Sequence, residues 1–70
     1  MGISKNYSKA IEYYQKAADM GNAFACNNLG VMYENGTGVK RNKAIARQYY
    51  QKACNMGNKR GCENIKRLGR

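Results

Sequence analysis

Residues 49–58 read Tyr49-Tyr50-Gln51-Lys52-Ala53-Cys54-Asn55-Met56-Gly57-Asn58, and residues 13–22 read Tyr13-Tyr14-Gln15-Lys16-Ala17-Ala18-Asp19-Met20-Gly21-Asn22. The two stretches lie thirty-six positions apart, and placing residues 1–34 over 37–70 without a gap gives thirteen identities. Self-similarity at one fixed period is typical of repeat proteins. The sequence therefore predicts two copies of one unit, residues 1–36 and residues 37–70.

Hydrophobic spacing predicts that each unit is a pair of helices. In the first unit, apolar side chains recur every three or four residues, the period of an amphipathic helix, at Ala10, Tyr13, Tyr14, Ala17 and Met20. We expect four helices at about 7–19, 23–34, 43–55 and 59–68. Asn6 and Asn42 are placed to cap the first helix of each unit. Short Met-Gly-Asn links make each pair an antiparallel hairpin.

The length of the chain limits the core that it can form. Seventy residues bury only a modest fraction of their surface, and repeat units need about three copies to cover their faces. The sequence is therefore read as a minimal array, an excised fragment or part of an oligomer. It contains no apolar run approaching the roughly 18 residues of a membrane span, and its first residues do not resemble a signal peptide.

The charge of the chain is confined to its second half. Residues 1–36 have three Lys and three acidic residues, whereas residues 37–70 have ten Lys or Arg against Glu63 and account for the whole net charge of +9. Such a surface attracts acidic proteins or phosphates, although spaced charges are also typical of a solvated helix face. The solvated face is the more frequent of these, and an acidic protein partner or anionic surface is the alternative. No base-reading motif accompanies the charges, so we expect no specific nucleic-acid binding.

A longer motif resembles a known repeat family. It reads Asn28-Leu29-Gly30-Val31-Met32-Tyr33-Glu34-Asn35-Gly36-Thr37-Gly38-Val39, followed by Lys43-Ala44 and by Tyr49-Tyr50-Gln51-Lys52-Ala53. This pattern resembles the Sel1-like repeat, a relative of the tetratricopeptide repeat whose helix pairs stack into a solenoid. The resemblance implies an all-α fold, a right-handed α/α solenoid of two Sel1-like helical hairpins with four helices in total.

The cysteine spacing resembles a narrower group, the Helicobacter cysteine-rich proteins, in which each repeat has one disulfide between its helices. Here the pattern runs from Lys52-Ala53-Cys54 to Cys62. The resemblance implies a Cys54–Cys62 disulfide and an exported bacterial protein, secreted or periplasmic; the alternative is two reduced thiols. Ala18 replaces the corresponding cysteine in the first unit, so Cys26 is expected to be a buried free thiol, the alternatives being an intermolecular bridge or a reactive nucleophile.

The implied fold favours protein–protein interaction. In the resembling family the first helix of each hairpin lines the inner face, so we expect contacts with a protein or peptide ligand, possible homo-oligomers through the repeat ends or Cys26, and contact residues at Asn6, Tyr13, Asn42, Arg47 and Tyr50. In each Tyr-Tyr pair, one ring can enter the core while its neighbour reaches a groove, because adjacent helical residues diverge by about 100°. A purely structural role for these rings is the alternative.

The alternative function is that of a penicillin- or cell-wall-peptide-binding protein with weak β-lactamase activity. Some proteins of the resembling group bind penicillin and hydrolyse β-lactams weakly, but the Ser-x-x-Lys motif is absent, since Ser4 is followed at that spacing by Tyr7 and Ser8 by Ile11. There is no His for a triad or a zinc site, so we expect no catalytic residue, metal or cofactor. The last alternative is an engineered or excised two-repeat fragment with no activity of its own.

Overall fold

The computed structural model describes the backbone of residues 3–69 and the side chains of residues 7–69. This part of the chain forms four helices and no strand: α1 (Ile3–Asp19), α2 (Ala23–Asn35), α3 (Lys43–Asn55) and α4 (Lys59–Leu68). The predicted all-α class is confirmed. α1 begins four residues earlier than expected, so the residues that we placed before the helix form its first turn.

Asparagine side chains begin three of the helices. The Oδ1 atoms of Asn22, Asn42 and Asn58 accept hydrogen bonds of 3.0, 3.0 and 2.9 Å from the backbone N–H groups three residues further on. Each such cap is worth about 1 kcal/mol, because it satisfies a donor that the first helical turn leaves free. Asn6 lies inside α1 and therefore does not have the capping position that we expected, and its side chain lies outside the described residues.

The helices pack in chain order. α2 lies between α1 and α3, and its contact with α3 is the most extensive of the molecule; α4 packs mainly on α3. One core cluster consists of Ile11, Ala18, Ala25, Cys26, Leu29, Met32 and Ala53, and Ala46 and Tyr50 of α3 are also fully buried. α1 and α2 form one hairpin and α3 and α4 the next, with the interface between α2 and α3 joining them.

α4 contributes little to this core. Gly61 is its buried residue within the described chain. The helix is instead tied to α3 by the Cys54–Cys62 disulfide, whose Cα atoms are 4.6 Å apart. This is the pairing that the cysteine spacing implied. The disulfide thus stabilises the position of a helix that buries little apolar surface.

Cys26 lies on α2 and is a free thiol with no exposed surface. Burial raises the pKa of this thiol, which disfavours the reactive thiolate. The folded chain therefore offers Cys26 neither to an intermolecular disulfide nor to a substrate, and the expected link between copies through this residue is not available without local unfolding.

Candidate functional site

An open groove lies beside α3, and we call it the α3 groove. Its volume is about 720 Å³. One lining residue comes from α2 and the others from α3: Tyr33, Ile45, Arg47, Gln48, Tyr49, Gln51, Lys52 and Asn55. A single helix can place so many side chains along one groove because residues three and four positions apart share a face.

Two tyrosines form the aromatic wall of the α3 groove. The rings of Tyr33 and Tyr49 are stacked, with centroids 5.8 Å apart and planes inclined by 17°. Burial, and then the proximity of Tyr33, raise the pKa of Tyr49, so ionisation of its hydroxyl is disfavoured further than in an ordinary tyrosine. Stacked rings that are half buried present a rigid apolar surface at little cost in side-chain entropy.

The rest of the α3 groove is polar and basic. Arg47 and Lys52 are both exposed and bring two positive charges. Gln51 and Asn55 add amide groups, and the Gln51 Nε2 atom donates a hydrogen bond of 3.0 Å to Asn55 Oδ1. These groups are the elements of a peptide-binding surface. The cations can bind carboxylates, the amides can bind peptide groups, and the aromatic wall can hold apolar side chains.

The structure separates the residues that the sequence singled out as contacts. Of these, Arg47 lines the α3 groove. Tyr13 is 70% exposed but lies in a smaller depression of about 480 Å³ at the end of α1. The side-chain oxygen of Asn42 is occupied by its capping bond to α3, and the side chain of Asn6 is not described.

Tyr50 is not a contact residue, because its side chain has no exposed surface. Its ring lies beside Gly30 of α2, where an added Cβ atom would be 2.5 Å from ring carbons Cδ1 and Cε1. Its hydroxyl donates a hydrogen bond of 2.6 Å to Glu34 Oε1. The expectation that one ring of each pair enters the core holds for the second pair, but the ring at the groove is Tyr49.

The carboxylate of Glu34 joins three helices. Besides Tyr50 of α3, it accepts two hydrogen bonds of 2.7 Å from the guanidinium of Arg67 in α4. These bonds lower the pKa of Glu34 to about 2. The Nη2 atom of Arg67 also donates to Asn64 at 3.2 Å, and Asn64 in turn donates to Asn27 of α2 at 2.9 Å. This network orders the helices around the groove.

Sequence reasoning missed seven lining residues: Tyr33, Ile45, Gln48, Tyr49, Gln51, Lys52 and Asn55. One signal was present for the tyrosines. Tyr50 lies four residues after Ala46 and three before Ala53, both fully buried, so these three share the buried face of α3. Tyr49 is rotated by about 100° from that face and reaches the groove.

Within residues 3–69 no three His, Cys, Asp or Glu side chains are grouped closely enough to form a metal site. None of the four helices combines the length and the apolar character that crossing a membrane requires.

The fold and the repeat pattern agree with a family of known proteins. The Sel1 repeat matches residues 1–22 and 23–58, and this chain belongs to the Sel1 repeat family. Sel1 repeats are protein-interaction modules built from helical hairpins that stack as a solenoid. The second match contains α2 and α3, so its boundaries differ from those of our units 1–36 and 37–70, although the repeat length is the same. Our two units therefore remain a prediction.

Curated relatives come from Helicobacter pylori, which confirms the predicted resemblance. In each of two strains, a protein named "Putative beta-lactamase HcpE" is 51% identical over 35 residues, which is 50% of this chain and 10% of the relative. The chain thus spans about a tenth of the length of these relatives. No solved structure matches the chain.

Proposed function

We propose that this chain is a protein-interaction module whose α3 groove binds an acidic segment of a partner protein. The observation that carries the proposal is the combination, in one groove, of the stacked Tyr33 and Tyr49 rings with two exposed cations, Arg47 and Lys52. Aromatic anchors and Arg are the residue types that dominate protein–protein binding energies.

The charges of the groove are available to a partner. Among the described residues, one basic side chain forms an ion pair: Arg67 pairs with Glu34. Arg47 and Lys52 form no such pair with the described residues, so the carboxylates of a ligand would be their counter-ions. Each exposed ion pair is worth at most about 1 kcal/mol, and for that reason the aromatic wall has to contribute as well.

The positions of the two cations favour a ligand with more than one carboxylate. Arg47 and Lys52 are five residues apart on α3, about 7.5 Å along the helix axis and about 140° around it. Their side chains therefore leave the helix on different sides of the groove. An acidic segment that crosses the groove would place one carboxylate near each cation.

The same proposal includes an oxidising compartment. The Cys54–Cys62 disulfide supports a secreted or periplasmic location, because disulfides persist outside the reducing cytoplasm. The Helicobacter pylori relatives support a bacterial source. Partners in such a location would be exposed proteins of the cell envelope or of the surroundings.

A fluorescently labelled peptide of alternating Glu and Leu tests the proposal by anisotropy. We expect saturable binding that weakens at least tenfold in the Arg47→Glu/Lys52→Glu variant and weakens with added salt. The matched control, Lys59→Glu/Arg60→Glu, changes the net charge equally at exposed positions outside the groove and should retain most of the binding. A peptide with Gln in place of Glu should bind much more weakly.

Two results would contradict this proposal. If both double variants lose the same affinity, the peptide responds to the net charge of +9 and not to the α3 groove. If the unaltered chain fails to bind the Glu peptide even at low salt, the groove does not accept acidic segments.

A further inference from the structure

The interface between the two hairpins has a simple chemistry. α3 contributes two tyrosines, and α2 receives them with three residues. The Tyr50 ring fits beside Gly30 and its hydroxyl bonds to Glu34, while the Tyr49 ring stacks on Tyr33. The receiving sequence on α2 is therefore Gly-x-x-Tyr-Glu, with each of its three fixed residues in contact with a tyrosine of α3.

α1 has the same two tyrosines at the same positions of the repeat. Tyr13 and Tyr14 correspond to Tyr49 and Tyr50, and the following Gln-Lys-Ala is identical in both helices. Unlike its counterpart, Tyr13 is 70% exposed, and Met20 near the end of α1 is 85% exposed. Tyr14 is half-buried against the core, but α1 packs on α2 alone among the described helices, so the face that α3 uses for docking has no second helix beside it on α1.

α4 does not have the receiving residues. The positions of Gly30, Tyr33 and Glu34 on α2 correspond in the sequence to Lys66, Gly69 and Arg70. A Cβ atom at the Gly30 position would lie 2.5 Å from the tyrosine ring, so the Lys side chain excludes the ring. Gly offers no ring for stacking, and Arg has no atom that accepts a hydrogen bond from a hydroxyl.

We propose that the two ends of this molecule are unequal. The α1 face docks onto the second helix of another Sel1-type hairpin, one that presents an uncovered Gly-x-x-Tyr-Glu sequence, whereas α4 does not accept a further hairpin in this way. A second copy of the chain is not the occupant, since its α2 is already covered by its own α3 and its α4 lacks the receiving residues. The relatives, about ten times the aligned length, have room for such a hairpin.

Two extended chains of equal length test the proposal. In the first, a copy of residues 1–36 precedes Met1; in the second, Asn-Gly and a copy of residues 37–70 follow Arg70, so the period of thirty-six is kept in both. Urea unfolding followed by circular dichroism reports stability, and hydrogen exchange reports protection of each helix. The 70-residue chain is the reference.

We expect the first extension to raise the urea midpoint and to slow exchange in α1 at least tenfold. The second should leave the midpoint unchanged, with rapid exchange in its added helices. With Lys66→Gly, Gly69→Tyr and Arg70→Glu added, the second extension should raise the urea midpoint and slow exchange as much as the first extension does. The reference for this variant is a 70-residue chain with the same three substitutions.

The proposal is overturned if both unmodified extensions stabilise the chain equally, if neither does, or if the three substitutions fail to protect the added helices. Sedimentation of the unextended chain gives an independent check. A monomer at high micromolar concentration agrees with the inference, whereas head-to-tail oligomers would show that α4 does receive α1.

Discussion

Arg67 of α4 and Glu34 of α2, thirty-three positions apart, form a two-point ion pair with hydrogen bonds of 2.7 Å. The same carboxylate accepts a hydrogen bond from the hydroxyl of Tyr50 in α3. One acidic side chain near the end of α2 therefore links both helices of the second hairpin to the first. This arrangement allows the contribution of each partner to be measured separately.

Replacing Tyr50 by Phe removes the hydroxyl and keeps the ring. We expect the free energy of unfolding to fall by about 1–2 kcal/mol, because the half-buried carboxylate of Glu34 loses the hydrogen bond that Tyr50 donates to it. Tyr14→Phe is the matched control, since Tyr14 aligns with Tyr50 but its hydroxyl does not bond to Glu34. Equal losses in the two variants, measured by urea unfolding, would show that the hydroxyl bond is not the cause.

Acid should weaken the fold through Glu34. Its pKa of about 2 in the folded chain lies below the ordinary value of 4.5, so the ionised carboxylate stabilises the fold fully above about pH 5. That stabilisation is lost as the pH falls from about 5 to 2. Urea midpoints measured across this range should decline in the unaltered chain and decline less in Glu34→Gln; parallel declines would contradict the assignment.

Gly30→Ala tests the space that α2 leaves for the Tyr50 ring. The new Cβ atom would lie 2.5 Å from two ring carbons, and overpacking of this kind costs about 1–3 kcal/mol. Because Ala is a better helix former than Gly by about 1 kcal/mol, the net loss should be smaller than the strain itself. Gly69→Ala, where the nearest atom is 3.3 Å away, should change stability little. A Gly30→Ala chain more stable than the unaltered one would show that the ring can move aside.

The thiols should respond in a fixed order. Under denaturing, non-reducing conditions we expect one thiol per chain to react, and three after reduction. In the native chain Cys26 should react very slowly because it is fully buried. Reduction should lower the free energy of unfolding by about 2–3 kcal/mol, as expected for a short closed loop. The Cys54→Ala/Cys62→Ala variant is the control, since reductant should not affect its stability; two or three reactive thiols before reduction would contradict the pairing.

The name of the Helicobacter pylori relatives prompts a direct test for β-lactam hydrolysis. We expect nitrocefin turnover by this chain to stay at the rate of buffer, because neither Ser4 nor Ser8 has a Lys one helical turn further on. Turnover that persists through repeated purification and disappears with Ser8→Ala would show a serine-dependent activity that the sequence pattern does not predict.

Local patterns in the sequence predicted most of the architecture. The three- and four-residue spacing, the Asn caps and the Met-Gly-Asn links indicate helices within one residue of the observed ends for α2, α3 and α4. These features are local, because each depends on residues within one or two turns. The start of α1 differed, since residues 3–6 are helical whereas the aligned residues 39–42 form a loop, so the local pattern of the repeat does not determine this helix end.

The groove was harder to predict because it depends on how two hairpins are rotated against each other. Adjacent tyrosines on α3 look equivalent in the sequence, and the choice of Tyr50 for the core depends on the gap at Gly30 of another helix. The ion pair between Glu34 and Arg67 likewise joins residues with no local relationship. Such long-range pairs follow from packing, which a short periodic pattern does not specify.

The uneven charge of the two halves has a consequence for how partners meet. With residues 1–36 neutral and residues 37–70 bearing the whole +9, the molecule has a large electric dipole. In the field of an acidic protein it would rotate during its approach, so that α3 and α4 arrive first. The α1 end then points away from the encounter and stays accessible while α3 and α4 are in contact with the partner.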